Sequence, residues 1–292
     1  MSQCTLSTLI VQRKATFRFF RSVLIALAAA LIFWSLIAMI FEEKLVYFPS
    51  GYSEEFYRSA AVGVKPEDHF FPSEDGTRIH AWLVRAEEPV ATLLSFHGNA
   101  GNLAHRSEKI RRLRNAGFTV FIIDYRGYGR SEGSPTEEGV YRDARAAYDY
   151  LVALPNIDTT RIIAHGVSLG GAVAVDVAVH RRFAAMILES TFSSAPDVAA
   201  AVYPFLPARF LMRTRLDSES KIRSLHLPLL FIHGTKDSVI PFRLGKKLFE
   251  AANEPKRFEP IAGADHNDVL FVAGESYLSL LREFVLTSVG EK

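Results

Sequence analysis

Ser168 stands in Gly166-Val167-Ser168-Leu169-Gly170, with a glycine two residues away on each side. The preceding run, Arg161-Ile162-Ile163-Ala164-His165, is short, apolar and bounded by turn residues, the pattern of a buried strand. The following Ala172-Val173-Ala174-Val175-Asp176-Val177-Ala178 reads as a helix packed against a sheet. A tight turn between such a strand and helix holds a serine in a strained backbone conformation and projects its hydroxyl from the carboxyl end of the sheet. The glycines let strand and helix approach without Cβ clashes. The helix N-terminus behind the serine favours developing negative charge. This is what a nucleophile for acyl transfer requires. The pentapeptide alone also occurs by chance in loops, so a base, an acid and oxyanion donors must follow in workable order.

Four histidines lie downstream of Ser168: His180, His226, His233 and His266. His180 falls in the helix after the serine, and His226 precedes Pro228 ahead of a strand. His233 ends the strand Leu229-Leu230-Phe231-Ile232, too early in the chain for a base. His266 lies in Gly263-Ala264-Asp265-His266-Asn267-Asp268, a loop between the last strand and the last helix. That is where the base belongs when the order is serine, acid, histidine. The acid belongs after the preceding strand, which points to Asp237 in His233-Gly234-Thr235-Lys236-Asp237. Its carboxylate would accept a hydrogen bond from His266, fix the tautomer and stabilise the imidazolium. Asp265 and Asp268 compete for the role, and Asp268 is expected to cap the final helix instead. One oxyanion donor is the amide of Leu169, directly after the nucleophile. The second is expected from His97-Gly98-Asn99-Ala100-Gly101-Asn102, at Asn99 with Ala100 as the alternative.

Holding these groups takes a framework, and the pattern supplies one. His69–Phe71 and Arg78–Val84 flank Glu74-Asp75-Gly76, a hairpin signal. Strands follow at Ala91–Phe96, Thr119–Ile123, Ala185–Leu188, Leu229–Ile232 and Arg257–Ile261, with helices at Leu103–Asn115, Thr136–Leu154, Phe242–Ala252 and Gly274–Thr287. Such alternation predicts a mostly parallel sheet with helices on both faces. Between Thr191 and His226, Pro204 and Pro207 break any long helix, so 191–226 reads as a short cap-like insertion.

From Ser22 to Phe41 the chain is uncharged and almost wholly apolar. At about 1.5 Å per residue it spans roughly 30 Å, the thickness of a hydrocarbon core. A cleaved signal peptide has an apolar region of only about 7–15 residues, and here the small residues Ala28-Ala29-Ala30 fall in the middle. An uncleaved anchor is expected. Arg13, Lys14, Arg18 and Arg21 precede it, while Glu42, Glu43 and Lys44 follow. The positive-inside rule then puts residues 1–21 in the cytoplasm, 22–41 across the membrane and 42–292 on the non-cytoplasmic side, periplasmic in a bacterium.

Composition sets the remaining bounds. A hydrophobic content of 49% is ample for a core and excludes global disorder. With 34 basic and 32 acidic residues there is no electrostatic reason to expect nucleic acid. Cys4 is the only cysteine, which excludes an internal disulfide and argues against a zinc cluster or a thiol nucleophile. Beside an anchor, Cys4 is either an acylation site or an inert terminal thiol.

Taken in order, the chain resembles the α/β-hydrolase family, and within it the membrane-anchored Bem46-like group. The resemblance rests on the anchor, Leu45-Val46-Tyr47-Phe48-Pro49, the His97–Asn102 loop, the segment from Asp124-Tyr125-Arg126-Gly127 to Ser134-Pro135, the Ser168 turn, the Asp237 loop and His266-Asn267-Asp268. It implies an α/β-hydrolase fold preceded by one transmembrane helix, and a Ser168–Asp237–His266 triad with Leu169 and Asn99 at the oxyanion hole. It implies a serine hydrolase of carboxylic esters or thioesters, acting on small-molecule or lipid-like acyl substrates without metal or organic cofactor. A serine aminopeptidase of the same fold and a non-catalytic binding protein are the alternatives. Asp124-Tyr125-Arg126-Gly127 is expected to be structural. The apolar stretch Phe205–Met212 is expected to form one wall of an acyl pocket.

Overall fold

The computed structural model describes residues 4–205 and 207–290, and the chain divides into two units at Leu45/Val46. The first unit is built on one helix, α1 (Cys4–Ile40). Its stretch Thr16–Ile37 is long and apolar enough to cross a membrane. At about 1.5 Å per residue it extends some 33 Å. Phe20, Leu24, Ile32 and Trp34 on this stretch are exposed.

In the second unit, short β-branched and aromatic runs form β1 (Glu67–Pro72), β2 (Arg78–Val84), β3 (Ala91–Phe96), β4 (Phe118–Asp124), β5 (Ile162–Val167), β6 (Ala185–Glu189), β7 (Leu229–Gly234) and β8 (Lys256–Ile261). They make one sheet in the order β1-β2-β4-β3-β5-β6-β7-β8. The β1–β2 and β2–β4 pairs are antiparallel and the others parallel. Strands β3, β4 and β6 are buried from end to end, as expected for strands covered on both faces. The two cores lie on opposite faces, one around Phe96, Ala164 and Val173, the other around Leu93, Ile163 and Tyr277.

The principal helices are α2 (Ser107–Asn115), α3 (Glu137–Val152), α4 (Leu169–His180), α5 (Ala195–Val202), α6 (Phe242–Ala251) and α7 (Glu275–Val289). The helix expected over Leu103–Asn115 is divided. Asp124 Oδ1 takes Leu103 N at 2.7 Å and the Asn102 side chain accepts Ala104 N, which holds Leu103–Arg106 as a tighter 3₁₀ turn before α2 begins. The insertion between β6 and β7 holds α5 and two shorter helices, Ala208–Leu211 and Ser218–Ile222.

Candidate active site

Ser168 links β5 to α4 with φ 55° and ψ −121°, a left-handed conformation that strains any residue with a Cβ. The surrounding packing holds it there. Ser168 N donates to Glu189 O at 2.9 Å, while Ser168 O accepts from Thr191 Oγ1 at 2.8 Å and Gly171 N at 2.9 Å. The glycines are needed for closeness: a Cβ on Gly166 would lie 2.4 Å from Gly170 O, and one on Gly170 would lie 2.0 Å from Phe96 O.

The loop after β8 carries His266 and the loop after β7 carries Asp237. His266 Nε2 lies 3.0 Å from Ser168 Oγ, and its Nδ1 lies 2.8 Å from Asp237 Oδ2. All three residues are buried. The second oxygen of Asp237 accepts Val239 N at 3.0 Å and Ile240 N at 2.7 Å. Burial pushes the Asp237 carboxyl up, but hydrogen bonds from His233 and His266 outweigh it and hold the group well below the usual carboxylate range. An ionised Asp237 can only accept, so His266 carries its proton on Nδ1 and presents Nε2 to the serine hydroxyl.

Asp265 and Asp268 have other jobs. Asp265 accepts Ser238 N at 2.7 Å, Ser238 Oγ at 2.8 Å and His266 N at 2.7 Å, which ties the Asp237 loop to the His266 loop. Asp268 does not cap the final helix. A separate turn, Val269–Ala273, intervenes, Gly274 at φ 56° divides it from α7, and the Asp268 side chain accepts Asp265 N at 2.7 Å.

The loop His97–Asn102 passes beside the serine, where a Cβ on Gly98 would touch Ser168 Cβ at 3.4 Å. It is pinned from both sides. Tyr125 OH donates to His97 O at 2.9 Å and Tyr128 OH to Asn99 O at 2.7 Å. On the other side, Phe48 N donates to Asn99 O at 3.0 Å, Ser50 N to Gly101 O at 2.9 Å and Asn99 Nδ2 to Val46 O at 3.1 Å. Among the described residues, neither Leu169 N nor Asn99 N donates a hydrogen bond.

A cavity of about 590 Å³ opens on this loop, Ser168 and His266. Its apolar lining includes Ile110, Val167, Val239, Leu270 and Phe271, and its polar lining includes Arg106, Lys109, His165 and Glu189. No described residue of 205–212 lines it, which corrects the expectation of an acyl-pocket wall there: Phe205 and Phe210 are each 90% exposed. Leu206 of that stretch lies outside the described residues. Among the described residues, no group of three or more His, Cys, Asp or Glu side chains is arranged to hold a metal ion.

The chain is 35% identical to the alpha/beta hydrolase domain-containing protein WAV2 of Arabidopsis thaliana, over 86% of this chain and 90% of that one. It is 34% identical to protein bem46 of Schizosaccharomyces pombe, over 84% and 86% of the two chains. The chain belongs to the Bem46-like α/β-hydrolases. The serine aminopeptidase, S33 family matches residues 87–215 of this Bem46-like hydrolase. Among solved structures, an esterase of Pyrococcus furiosus superposes with a TM-score of 0.67 at 19% identity, over 84% of this chain and all of that one. The esterase domain of a Rhodothermus marinus protein does so with a TM-score of 0.56 at 25% identity, over 75% and 99%.

Four further residues of this Bem46-like hydrolase stand at the site beyond those expected from the sequence: His233, Lys109, Glu189 and Arg106. His233, set aside as a base, approaches Asp237 at 3.2 Å. Its signal was its place at the end of β7, four residues before Asp237. Half-buried Lys109 pairs with buried Glu189 at 2.6 Å, and Arg106 lines the same cavity. Nothing local in the sequence marks these, because they meet only when the 3₁₀ turn and α2 pack against the sheet.

Proposed function

We propose that this chain is a serine hydrolase of carboxylic esters or thioesters, using Ser168 as nucleophile, His266 as base and Asp237 as its orienting acid. The supporting observation is the single row in which His266 sits 2.8 Å from Asp237 Oδ2 and 3.0 Å from Ser168 Oγ. His266 Nε2 takes the hydroxyl proton as Ser168 Oγ attacks the acyl carbon. The amides of Leu169 and Asn99 hold the oxyanion at the positive end of α4. The bond to the alkoxide or thiolate breaks, and His266 returns its proton to that leaving group. Water then gives a proton to the same nitrogen and attacks the acyl-enzyme, which frees the acid and regenerates Ser168.

The aminopeptidase alternative has the family match over residues 87–215 in its favour. An α-ammonium group needs an uncommitted carboxylate to receive it. The acidic side chains among the described lining residues are committed elsewhere. Glu189 holds Lys109 at 2.6 Å and accepts Tyr277 OH, and Glu108 holds Arg111 and Arg112, each at 2.7 Å. This favours acyl substrates without a free amine.

The deciding experiment compares wild type with Ser168→Ala, using a fluorophosphonate probe and a panel of ester, thioester and aminoacyl substrates. Labelling and hydrolysis of the esters are expected in wild type alone. Labelling of Ser168→Ala at the wild-type level, or turnover of aminoacyl substrates only, rejects the reading. The N-terminal helix is read as a single-pass anchor with its N-terminus in the cytoplasm and residues 42–292 on the far side. A reporter fused after Lys292 is expected to register the non-cytoplasmic side, and a cytoplasmic signal there reverses the topology.

A further inference from the structure

The cavity beside Ser168 contains a cation without a counter-ion. Arg106 is one of its lining residues, together with Ser168 and His266. Its guanidinium donates once, from Nη2 to Ala100 O. Its Nε is buried with no hydrogen-bond partner, and among the described residues no carboxylate oxygen lies within the 4.0 Å of an ion pair.

The neighbouring charges do not fill this gap. Lys109, the other cation lining the cavity, is matched by Glu189 at 2.6 Å. Glu108 is taken by Arg111 and Arg112. Asp124 acts on Arg106 only from beyond that distance, and its oxygens already accept from Tyr57 OH at 2.7 Å and Leu103 N at 2.7 Å. His80 Nδ1 lies a further 3.2 Å from it.

The positive field is felt locally. Burial pushes His97 down to about 4 and the Arg106 charge adds to that drop; burial and Arg106 likewise lower His105. At about 4, His97 stays a neutral ring and supplies Arg106 with no counter-charge. A buried charge is costly unless it is paired, and guanidinium forms its strongest hydrogen bonds with carboxylate and phosphate oxygens.

We infer that Arg106 is an anion-recognition residue, and that the substrates of the Ser168 site are esters or thioesters bearing a carboxylate or phosphate group. This rests on the hydrolase reading above. The structural alternative is that Arg106 only fastens the carbonyl of Ala100 and so steadies the oxyanion loop.

The two are separated by a ratio. The full-length protein in detergent is assayed with a neutral butyrate ester, the hemisuccinate of the same alcohol, and a butyrate ester whose alcohol carries a phosphate. In wild type, kcat/KM for at least one anionic ester is expected to exceed that for the neutral one by about ten-fold or more, the worth of one charged hydrogen bond. Arg106→Gln is expected to bring that ratio close to one, and Arg106→Lys to retain part of it. An unchanged ratio in Arg106→Gln, with all three esters slowed alike, overturns the inference in favour of the loop-fastening role. Equal rates for neutral and anionic esters in wild type overturn it as well.

Calorimetry with monobutyl succinate and with monobutyl phosphate on Ser168→Ala reads the anion site without turnover. Binding that Arg106→Gln in the same background weakens about ten-fold supports the site even if fluorophosphonate labelling has failed. Absence of binding rejects the site while leaving a labelled Ser168 hydrolase intact.

Discussion

His233 Nε2 lies 3.2 Å from Asp237 Oδ2, the same carboxylate oxygen that accepts from His266 Nδ1 at 2.8 Å. The same nitrogen of His233 lies 3.0 Å from Ile240 O. Both neighbours are acceptors, so His233 carries a proton on Nε2 and shares it between them. In the proposed triad His233 would then be a positioning residue that holds Asp237 in place.

A ranking of losses follows. Asp237→Asn is expected to lower kcat by on the order of 10⁴, because the amide favours the wrong tautomer of His266. His233→Leu removes one hydrogen bond to a charged group and should cost roughly ten-fold. Asp265→Asn keeps an acceptor for Ser238 N and should cost less than Asp237→Asn by a wide margin. Steady-state kinetics on one ester checks all three, and equal losses for the two aspartates would reject Asp237 as the orienting acid.

The residues just after the N-terminal helices form a second support. Val46, Phe48 and Ser50 hydrogen-bond to Asn99 and Gly101, and Asn102 Nδ2 donates to Ser50 O at 3.3 Å. A chain starting at Lys44 should keep the wild-type kcat of the candidate site. One starting at Tyr52 should lose on the order of 10², the cost of a misplaced catalytic group. Comparable activity in the two truncations, at matched melting temperatures, would show that the His97–Asn102 loop holds itself.

Much of this was legible in the sequence, and the reason is local. The Ser168 turn, the alternation of strands and helices and the loops of Asp237 and His266 are each written in a few consecutive residues. Sequence order alone then put Asp237 and His266 on the two loops that the fold brings to Ser168. What stayed hidden depends on distant packing. Asp268 was expected to cap a helix because nothing nearby reveals that Gly274 splits that region in two. The stretch Phe205–Met212 was assigned to the acyl pocket for its apolar composition, yet composition does not say which way a side chain faces. The cavity is instead lined from α2, the loop after β3 and the turn after His266.

Two buried histidines make stability depend on pH. Burial pushes His97 down to about 4 and His165 down to about 3, with Arg106 and Lys109 respectively adding to the drop. Both stay neutral in the fold while the unfolded chain protonates near 6.5. Their stabilisation is full above about pH 6.5 and is lost as pH falls toward the folded values, at up to about 1.4 kcal/mol per pH unit for each. Thermal melting at pH 7 and pH 5 should give a smaller drop for His165→Gln than for wild type. An equal drop in both would mean that His165 does not titrate on unfolding.

Close packing at the Ser168 turn is tested by one methyl group. Gly170→Ala places a Cβ 2.0 Å from Phe96 O, so strand or helix must shift. Overpacking of this kind costs about 1–3 kcal/mol and should lower the melting temperature by several degrees along with activity. Gly51→Ala, with nothing within 4 Å of the added carbon, is the matched control and should change neither. Normal activity and stability in Gly170→Ala would show that the turn has slack.

Acyl-chain preference locates the substrate. Leu270 and Phe271 line the cavity beside Ser168, whereas Phe210 is 90% exposed and does not. Truncating a lining side chain opens room for a longer acyl group, and each buried methylene is worth about 0.8 kcal/mol, several-fold in rate. Leu270→Ala and Phe271→Ala should therefore move the optimum toward longer chains, with Phe271→Ala the safer variant because its side chain is the more exposed. Phe210→Ala should leave the profile where it was. Rates for a homologous series of neutral esters, measured on the chain starting at Lys44, decide the matter. A shift with Phe210→Ala and none with either lining variant would place the acyl group under the insertion instead of in this cavity.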